Sequence, residues 1–223
     1  IAIGGTTMQA HLGKISCRRH GSATASPSPA PSDYFTRYFL LMAGIGYDGE
    51  SVYGVNERLK KYSGKLAYII SGICALIKYN PGLLRIKAAI SGSGDITGAR
   101  FHVNTRHCSL NEEFLEATGY TIVASKSACY GGDMKITPEA SLTSPKLYIF
   151  ISHKRGRINL MRYLRAIISD RAAELQDTTY FKADSIEIEG DSHIQIDGDY
   201  AGKTPARITV AENSLKLIVP IDR

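Results

Sequence analysis

Between residues 51 and 79 the apolar positions follow a helical period: Leu66, Ile69, Ile70, Ile73, Leu76 and Ile77 recur every three or four residues as one stripe. The stripe predicts a helix ended by Asn80-Pro81-Gly82, its apolar side against a core, although the same aliphatic residues also suit a groove for an acyl chain. After Pro81 the period shortens. Segments 83–90, 99–104, 120–125, 147–152, 185–189, 193–197, 206–210 and 215–219 are short, apolar and separated by Gly, Asp and Asn turns, which predicts strands. Tyr38 to Ala43 predicts another strand, broken at Gly44-Ile45-Gly46-Tyr47-Asp48-Gly49, and residues 1–17 predict one or two more.

A second helix is predicted over 158–175, with Leu160, Met161, Leu164, Ile167 and Ile168 on one side and Arg157, Arg162, Arg165 and Arg171 on much of the rest. Two readings of it stay open: a core-packed helix with a solvated Arg face, or a basic amphipathic helix on an anionic membrane surface. Residues 20–33 are rich in Ser, Pro and Ala and predict a flexible loop. The expected fold is mainly β (α+β): a two-layer antiparallel β-sandwich with two or more inserted helices.

Composition narrows the classes. The chain has 223 residues, 43% of them hydrophobic and 22% charged, enough to bury a core. A net charge of +6 favours an anionic partner but selects neither nucleic acid, membrane nor phosphate ligand. Cys17, Cys74, Cys108 and Cys129 are scattered, so neither a disulfide framework nor a zinc site is signalled; His102, His107 and Cys108 lack a matching second ligand pair. No signal peptide and no apolar run near ~20 residues stands out. The chain opens on Ile1, and the expectation is a piece of a longer protein.

The strongest candidate chemistry lies in Gln195-Ile196-Asp197-Gly198-Asp199, just before Gly202-Lys203-Thr204-Pro205. If Asp197 and Asp199 sit on one strand their carboxylates share a face, and such a pair can divide into a base and a cation anchor. The competing reading is a plain Asp-Gly hairpin turn.

Taken in order, Ala43-Gly44-Ile45-Gly46-Tyr47-Asp48-Gly49-Glu50, Lys61-Tyr62-Ser63-Gly64-Lys65-Leu66-Ala67-Tyr68, Tyr130-Gly131-Gly132-Asp133-Met134-Lys135-Ile136-Thr137-Pro138-Glu139-Ala140, Gln195 to Asp199, and Leu215-Lys216-Leu217-Ile218-Val219-Pro220 resemble a family pattern. The resemblance is to the C-terminal half of the bacterial diacylglycerol kinase and lipid kinase family, relatives of sphingosine and ceramide kinases, over about residues 38–220. It implies a two-domain kinase that moves the ATP γ-phosphate to a lipid hydroxyl, with an N-terminal nucleotide-binding domain that this chain lacks. Residues 1–223 are then the C-terminal β-sandwich domain.

The resemblance implies Asp197 as the hydroxyl-activating carboxylate and Asp199, where the family usually has Glu, as a residue that helps hold magnesium or orients the site. Asp48, beside Gly46, would meet the lipid head group; an Asx turn is its other reading. ATP and Mg2+ are implied for the whole protein, and no cofactor for this piece alone. The chain departs from the pattern at Asp133 and Gly49, and at Ser125, near where many members have Asn. It departs again at Ala140-Ser141-Leu142-Thr143-Ser144-Pro145-Lys146-Leu147, where a metal-binding loop has lost its paired carboxylates and gained Lys146, so no magnesium is expected there.

The leading functional expectation is the acceptor-side domain of an ATP-dependent lipid kinase acting on an alcohol such as diacylglycerol, inactive by itself. The alternative is a non-catalytic lipid-binding or regulatory module derived from such a kinase. Expected partners are the chain's own N-terminal domain and a lipid substrate at a membrane surface, in a cytoplasmic protein peripheral to the membrane. Nucleic acid is not expected, since no RNP or zinc-finger pattern accompanies the charge. An edge strand can pair two copies.

Overall fold

A computed structural model describes residues 5–19, 33–53, 81–91, 97–98, 103–109, 112–131 and 134–220. Among them the chain is mainly β, with fifteen strands and two α-helices. Thirteen strands form one curled, antiparallel sheet. Its order begins at β5 (Thr97–Gly98) and β12 (Thr178–Ala183), then β11 (Leu147–Ser152), β8 (Thr121–Ser125), β3 (Met42–Ile45) and β14 (His193–Ile196). β15 (Asp199–Pro220) joins these to β13 (Ser185–Glu189), β4 (Leu84–Ser91), β7 (Glu112–Gly119) and β6 (Val103–Ser109). β1 (Gly5–Arg18) pairs with β15 and with β2 (Tyr34–Phe39), while β9 (Cys129–Gly131) and β10 (Met134–Lys135) make a separate ribbon.

The fold is sandwich-like because the sheet curls until its halves face each other. Ile45, Ile122, Ile149, Ile151 and Ile194 from one half share a core with Ile86, Leu115, Ile186, Ile188 and Ile208 from the other. β4 keeps strict alternation, Leu84, Ile86, Ala88 and Ile90 inward and Arg85 and Lys87 outward, since its outer face meets water. β8 loses the alternation: Val123 on its outer face is buried with Phe150, Ile136 and Ile167. The cover is α2 (Arg157–Ile168) and the 3₁₀ turn Ala172–Glu174, so this part of the sheet is apolar on both faces.

Several expectations are corrected. The mainly β, sandwich-like architecture is as expected, with its two layers continuous through hydrogen bonds because β15 runs 22 residues and pairs with strands of both halves; the corrections concern single elements. Segments 206–210 and 215–219 are parts of that one strand, and residues 5–18 form one strand against it. The strand predicted from Tyr38 to Ala43 is interrupted at Leu40 and Leu41. The second helix stops at Ile168, where Ser169 caps it by its backbone. β7 and β12 had gone unpredicted: Glu112, Glu113 and Glu116 mask the first, and Thr178 and Thr179 the second. Of the segment 51–79 only residues 51–53 are described, as the end of α1 (Tyr47–Tyr53); the apolar stripe, the Lys61–Tyr68 motif and nearly all of the 20–33 loop lie outside the described residues. His102, Cys74, Gly132 and Asp133 do too.

Candidate functional site

Two motifs some 150 residues apart in sequence meet where β3 pairs with β14, Gly44 opposite Gln195 and Ala43 opposite Ile196. Gly46, at φ 97°, turns β3 into α1, and its carbonyl accepts the Glu50 N–H at 3.0 Å. A left-handed residue at that corner favours glycine. The turn lays α1 on the outer face of β14 so closely that a Cβ at Gly49 would collide with the His193 backbone carbonyl. This contact is a physical reason for glycine at position 49.

Asp48, in the first turn of α1, is 4% exposed. Its carboxylate and the Gln195 amide both crowd the Gly44 Cα, which has room for them because it bears no side chain. Gln195 in turn accepts the Gly198 N–H on Oε1 at 2.8 Å. Asp48 and the Gln195 amide thus pack against the same glycine, beside the 196–199 hairpin.

Asp197 and Asp199 do not share a strand face. Asp197 (φ 48°) and Gly198 (φ 89°) are the two central residues of a tight hairpin in which Ile196 pairs with Asp199. Positive φ at both positions is the type I′ geometry that Asp-Gly favours. The turn reading of Asp-Gly therefore holds in the structure, and the shared-face argument does not. The exposed Asp197 carboxylate accepts three backbone N–H bonds, from Leu40 on Oδ2 at 2.7 Å and from Leu41 and Met42 on Oδ1 at 2.9 Å. Its own N–H donates to the Met42 carbonyl at 3.0 Å. This carboxylate spans the gap between β2 and β3 and replaces the ladder that Leu40 and Leu41 interrupt.

Sequence reasoning overlooked the groups beneath α1. The His193 ring Nδ1 lies 2.9 Å from the Tyr200 hydroxyl, its Nε2 lies 3.7 Å from Glu50, and Tyr53 stacks on the ring at 4.2 Å. Burial pushes the Glu50 carboxyl above its ordinary range and the Tyr200 phenol upward as well. His193 and Gln195 at alternate positions of one strand were the available signal, since both must face α1. Beside them a cleft of about 380 Å³ is lined by Arg19, Phe35, Arg37, Tyr200, Ala201 and Gly202. Arg19 and Arg37 sit over the Phe35 ring at 5.6 and 5.8 Å, so the cleft places two guanidiniums next to the acidic hairpin.

The 140–147 loop is organised by ammonium groups. Lys126 is 0% exposed, and its Nζ donates to the Ser144 carbonyl and, at 2.8 Å, to that of Lys146. Burial lowers its pKa to about 8. Lys146 reaches Asp184 at 2.5 Å and Ser91 Oγ at 2.6 Å. Desolvation of Asp184 is outweighed by these bonds, and its carboxyl stands below the usual range. The loop presents carbonyls already taken by a cation and no carboxylate of its own, so its residues do not fit a divalent metal. Among the described residues no three His, Cys, Asp or Glu side chains gather as a metal-ligand set. No helix among them is long and apolar enough to cross a membrane.

Residues 42–219 match the family described as the YegS C-terminal NAD kinase beta sandwich-like domain. A diacylglycerol kinase of Bacillus subtilis (strain 168) is 22% identical over 189 residues, 84% of this chain and 55% of that protein. One of Mycobacterium tuberculosis (strain H37Rv) is 24% identical over 192 residues, 82% of this chain and 53% of that protein. The chain thus spans about half the length of these relatives. A crystal structure of a candidate diacylglycerol kinase from Bacillus anthracis str. Sterne shares the fold over 92% of this chain and 54% of its own, with a TM-score of 0.54 at 17% identity.

Proposed function

Because the chain belongs to the family of YegS C-terminal NAD kinase β-sandwich-like domains, and is a C-terminal domain of the bacterial diacylglycerol kinase type, we propose that it is the acceptor side of an ATP-dependent lipid kinase. The observation that carries this reading is the convergence of Asp48 with the Gln195–Asp199 hairpin at one sheet corner. In the proposed reaction the lipid hydroxyl oxygen attacks the γ-phosphorus, the bond to the ADP oxygen breaks, and the hydroxyl proton passes to a carboxylate of the hairpin. Asp197 is the proposed acceptor of that proton, Asp199 a group that orients the site, and Asp48 a partner for the head group. ATP and Mg2+ would be held mainly by a nucleotide-binding domain beyond these residues, and this chain alone would be inactive. The proposed setting is the cytoplasmic face of a membrane.

One observation favours a second reading, a lipid-binding module without chemistry: three backbone donors already occupy the Asp197 carboxylate. Phosphorylation of diacylglycerol in mixed vesicles by the intact polypeptide separates the two. The kinase reading expects turnover that falls at least about 100-fold in Asp197→Asn, within the range removed with a general base, while the fold is kept. No phosphorylated lipid with any alcohol acceptor would leave the binding module, and unchanged turnover in Asp197→Asn would remove the proposed base.

A further inference from the structure

α2 carries a wider apolar surface than the protein covers. Leu160, Tyr163 and Ile167 are buried, with Ile167 packed on Val123 and Phe150 of the sheet. At 3.6 residues per turn, Ile158 falls on the opposite side, and Met161 and Ile168 on the flank that joins it to the buried one. They are 84%, 57% and 68% exposed. Arg165 lies between Met161 and Ile158 on the outward face and Arg157 on the flank beside Ile168, both exposed, with Arg155 just before the helix. Among the described residues Asp177 is engaged by Arg162 and Tyr163, and Glu174 by Arg171, while Asp170 lies exposed just past the helix end. Neither Arg157 nor Arg165 has an ion pair among them.

We propose that this outer face of α2 docks on the surface of an anionic phospholipid bilayer. A second copy of a chain with net charge +6 would set guanidinium against guanidinium, whereas an anionic leaflet meets both halves of the pattern. Its head groups take Arg157 and Arg165, and its acyl boundary takes the three aliphatic side chains. The face is also next to the candidate site. Leu160 and Leu164 pack on Tyr47, the residue before Asp48, so a bilayer against α2 lies beside the corner where a lipid head group would enter. The inference deepens the lipid-kinase reading by stating how the site reaches an insoluble substrate, yet it is read out by binding and not by turnover.

The test is flotation of the 223-residue chain with phosphatidylcholine vesicles and with vesicles containing phosphatidylglycerol. The expected result is binding to the anionic vesicles only, weakened by salt. It should fall about fivefold for each of Arg157→Gln and Arg165→Gln, and at least about tenfold in a triple Ile158→Ser, Met161→Ser, Ile168→Ser variant. These side chains point outward, so circular dichroism should report an unchanged fold. No vesicle binding, or binding equal in all variants, overturns the proposal. So does a dimer in sedimentation that the triple variant dissociates while vesicle binding persists, since the face would then belong to a second copy. If vesicle binding follows the prediction but the intact polypeptide phosphorylates no lipid, the docking face stands and the kinase reading falls.

Discussion

Replacing Asp197 should cost stability before it costs anything else, because the carboxylate closes a break in the sheet. It receives three N–H bonds at 2.7, 2.9 and 2.9 Å from Leu40, Leu41 and Met42. Leu41 is a junction too, its carbonyl accepting the N–H groups of Lys126 at 2.7 Å and Ser127 at 3.1 Å. Bonds to an ionised acceptor contribute about 1.5–3 kcal/mol each when shielded, but the exposed site lets water replace part of that, so about 1 kcal/mol per bond is the working value. Asp197→Ala loses all three and places a Cβ-bearing residue without a local hydrogen bond at φ 48°, a further cost of about 1 kcal/mol. The expected loss is about 4 kcal/mol. Asp197→Gly removes the bonds but relieves the backbone, for about 2–3 kcal/mol. Asp197→Asn keeps an oxygen for Leu41 and Met42, turns an amide toward the Leu40 N–H and tolerates the left-handed conformation, for about 1–2 kcal/mol. Urea unfolding followed by far-ultraviolet circular dichroism reads the series, since the chain has no tryptophan. The order Asn, Gly, Ala in increasing cost is the signature. If Ala lies within about 0.5 kcal/mol of the parent, or Gly matches the parent, the carboxylate does not hold the 40–42 corner and the reasoning fails.

Burial lowers the Lys126 pKa from 10.5 to about 8, so between those values the folded chain has released a proton that the unfolded chain retains, and stability must rise with pH. At about 1.4 kcal/mol per pKa unit the gain by pH 10 is about 2–3 kcal/mol; Lys126→Met should lack it, and parallel urea midpoints for both proteins from pH 7.5 to 10 would contradict this. Gly49→Ala drives a methyl group into the His193 carbonyl and should cost about 2 kcal/mol, measurable as a lowered urea midpoint at constant slope; no change would mean that α1 sits farther from β14. Tyr163→Phe removes the 2.8 Å bond to Asp177 and should cost about 1–2 kcal/mol, so an unaltered midpoint would count against that bond. The Asp177 carboxyl, despite desolvation, is held below its usual range by Tyr163 and Arg162. Its contribution is complete above about pH 4 and is lost as pH falls through its folded value; Asp177→Asn should flatten the acid limb of the stability curve, and an unchanged acid limb would show that the group does not govern it.

What the sequence determined by itself was local. Strands 147–152 and 185–189 were legible to the residue, because alternation and turn residues write themselves into a few consecutive positions. The Asp-Gly turn is legible for the same reason, since only a few residues tolerate positive φ. The ordered motifs then carried the family. What only the tertiary structure decided depends on partners far away in the chain. Glu-rich β7 becomes a strand because Leu115 and Ala117 find the core, an outcome that local propensity does not record. Met161 and Ile168, which share an apolar stripe with Leu160 in the sequence, are left outside because the sheet accepts only one side of α2, and Tyr163 takes the inner place. Asp197 and Asp199, neighbours in any reading, point to different tasks once the gap at Leu40 and Leu41 claims one of them. A periodicity states which residues could be buried together; the surface that buries them, and the backbone donors left over when strands end, exist only after the chain has closed on itself.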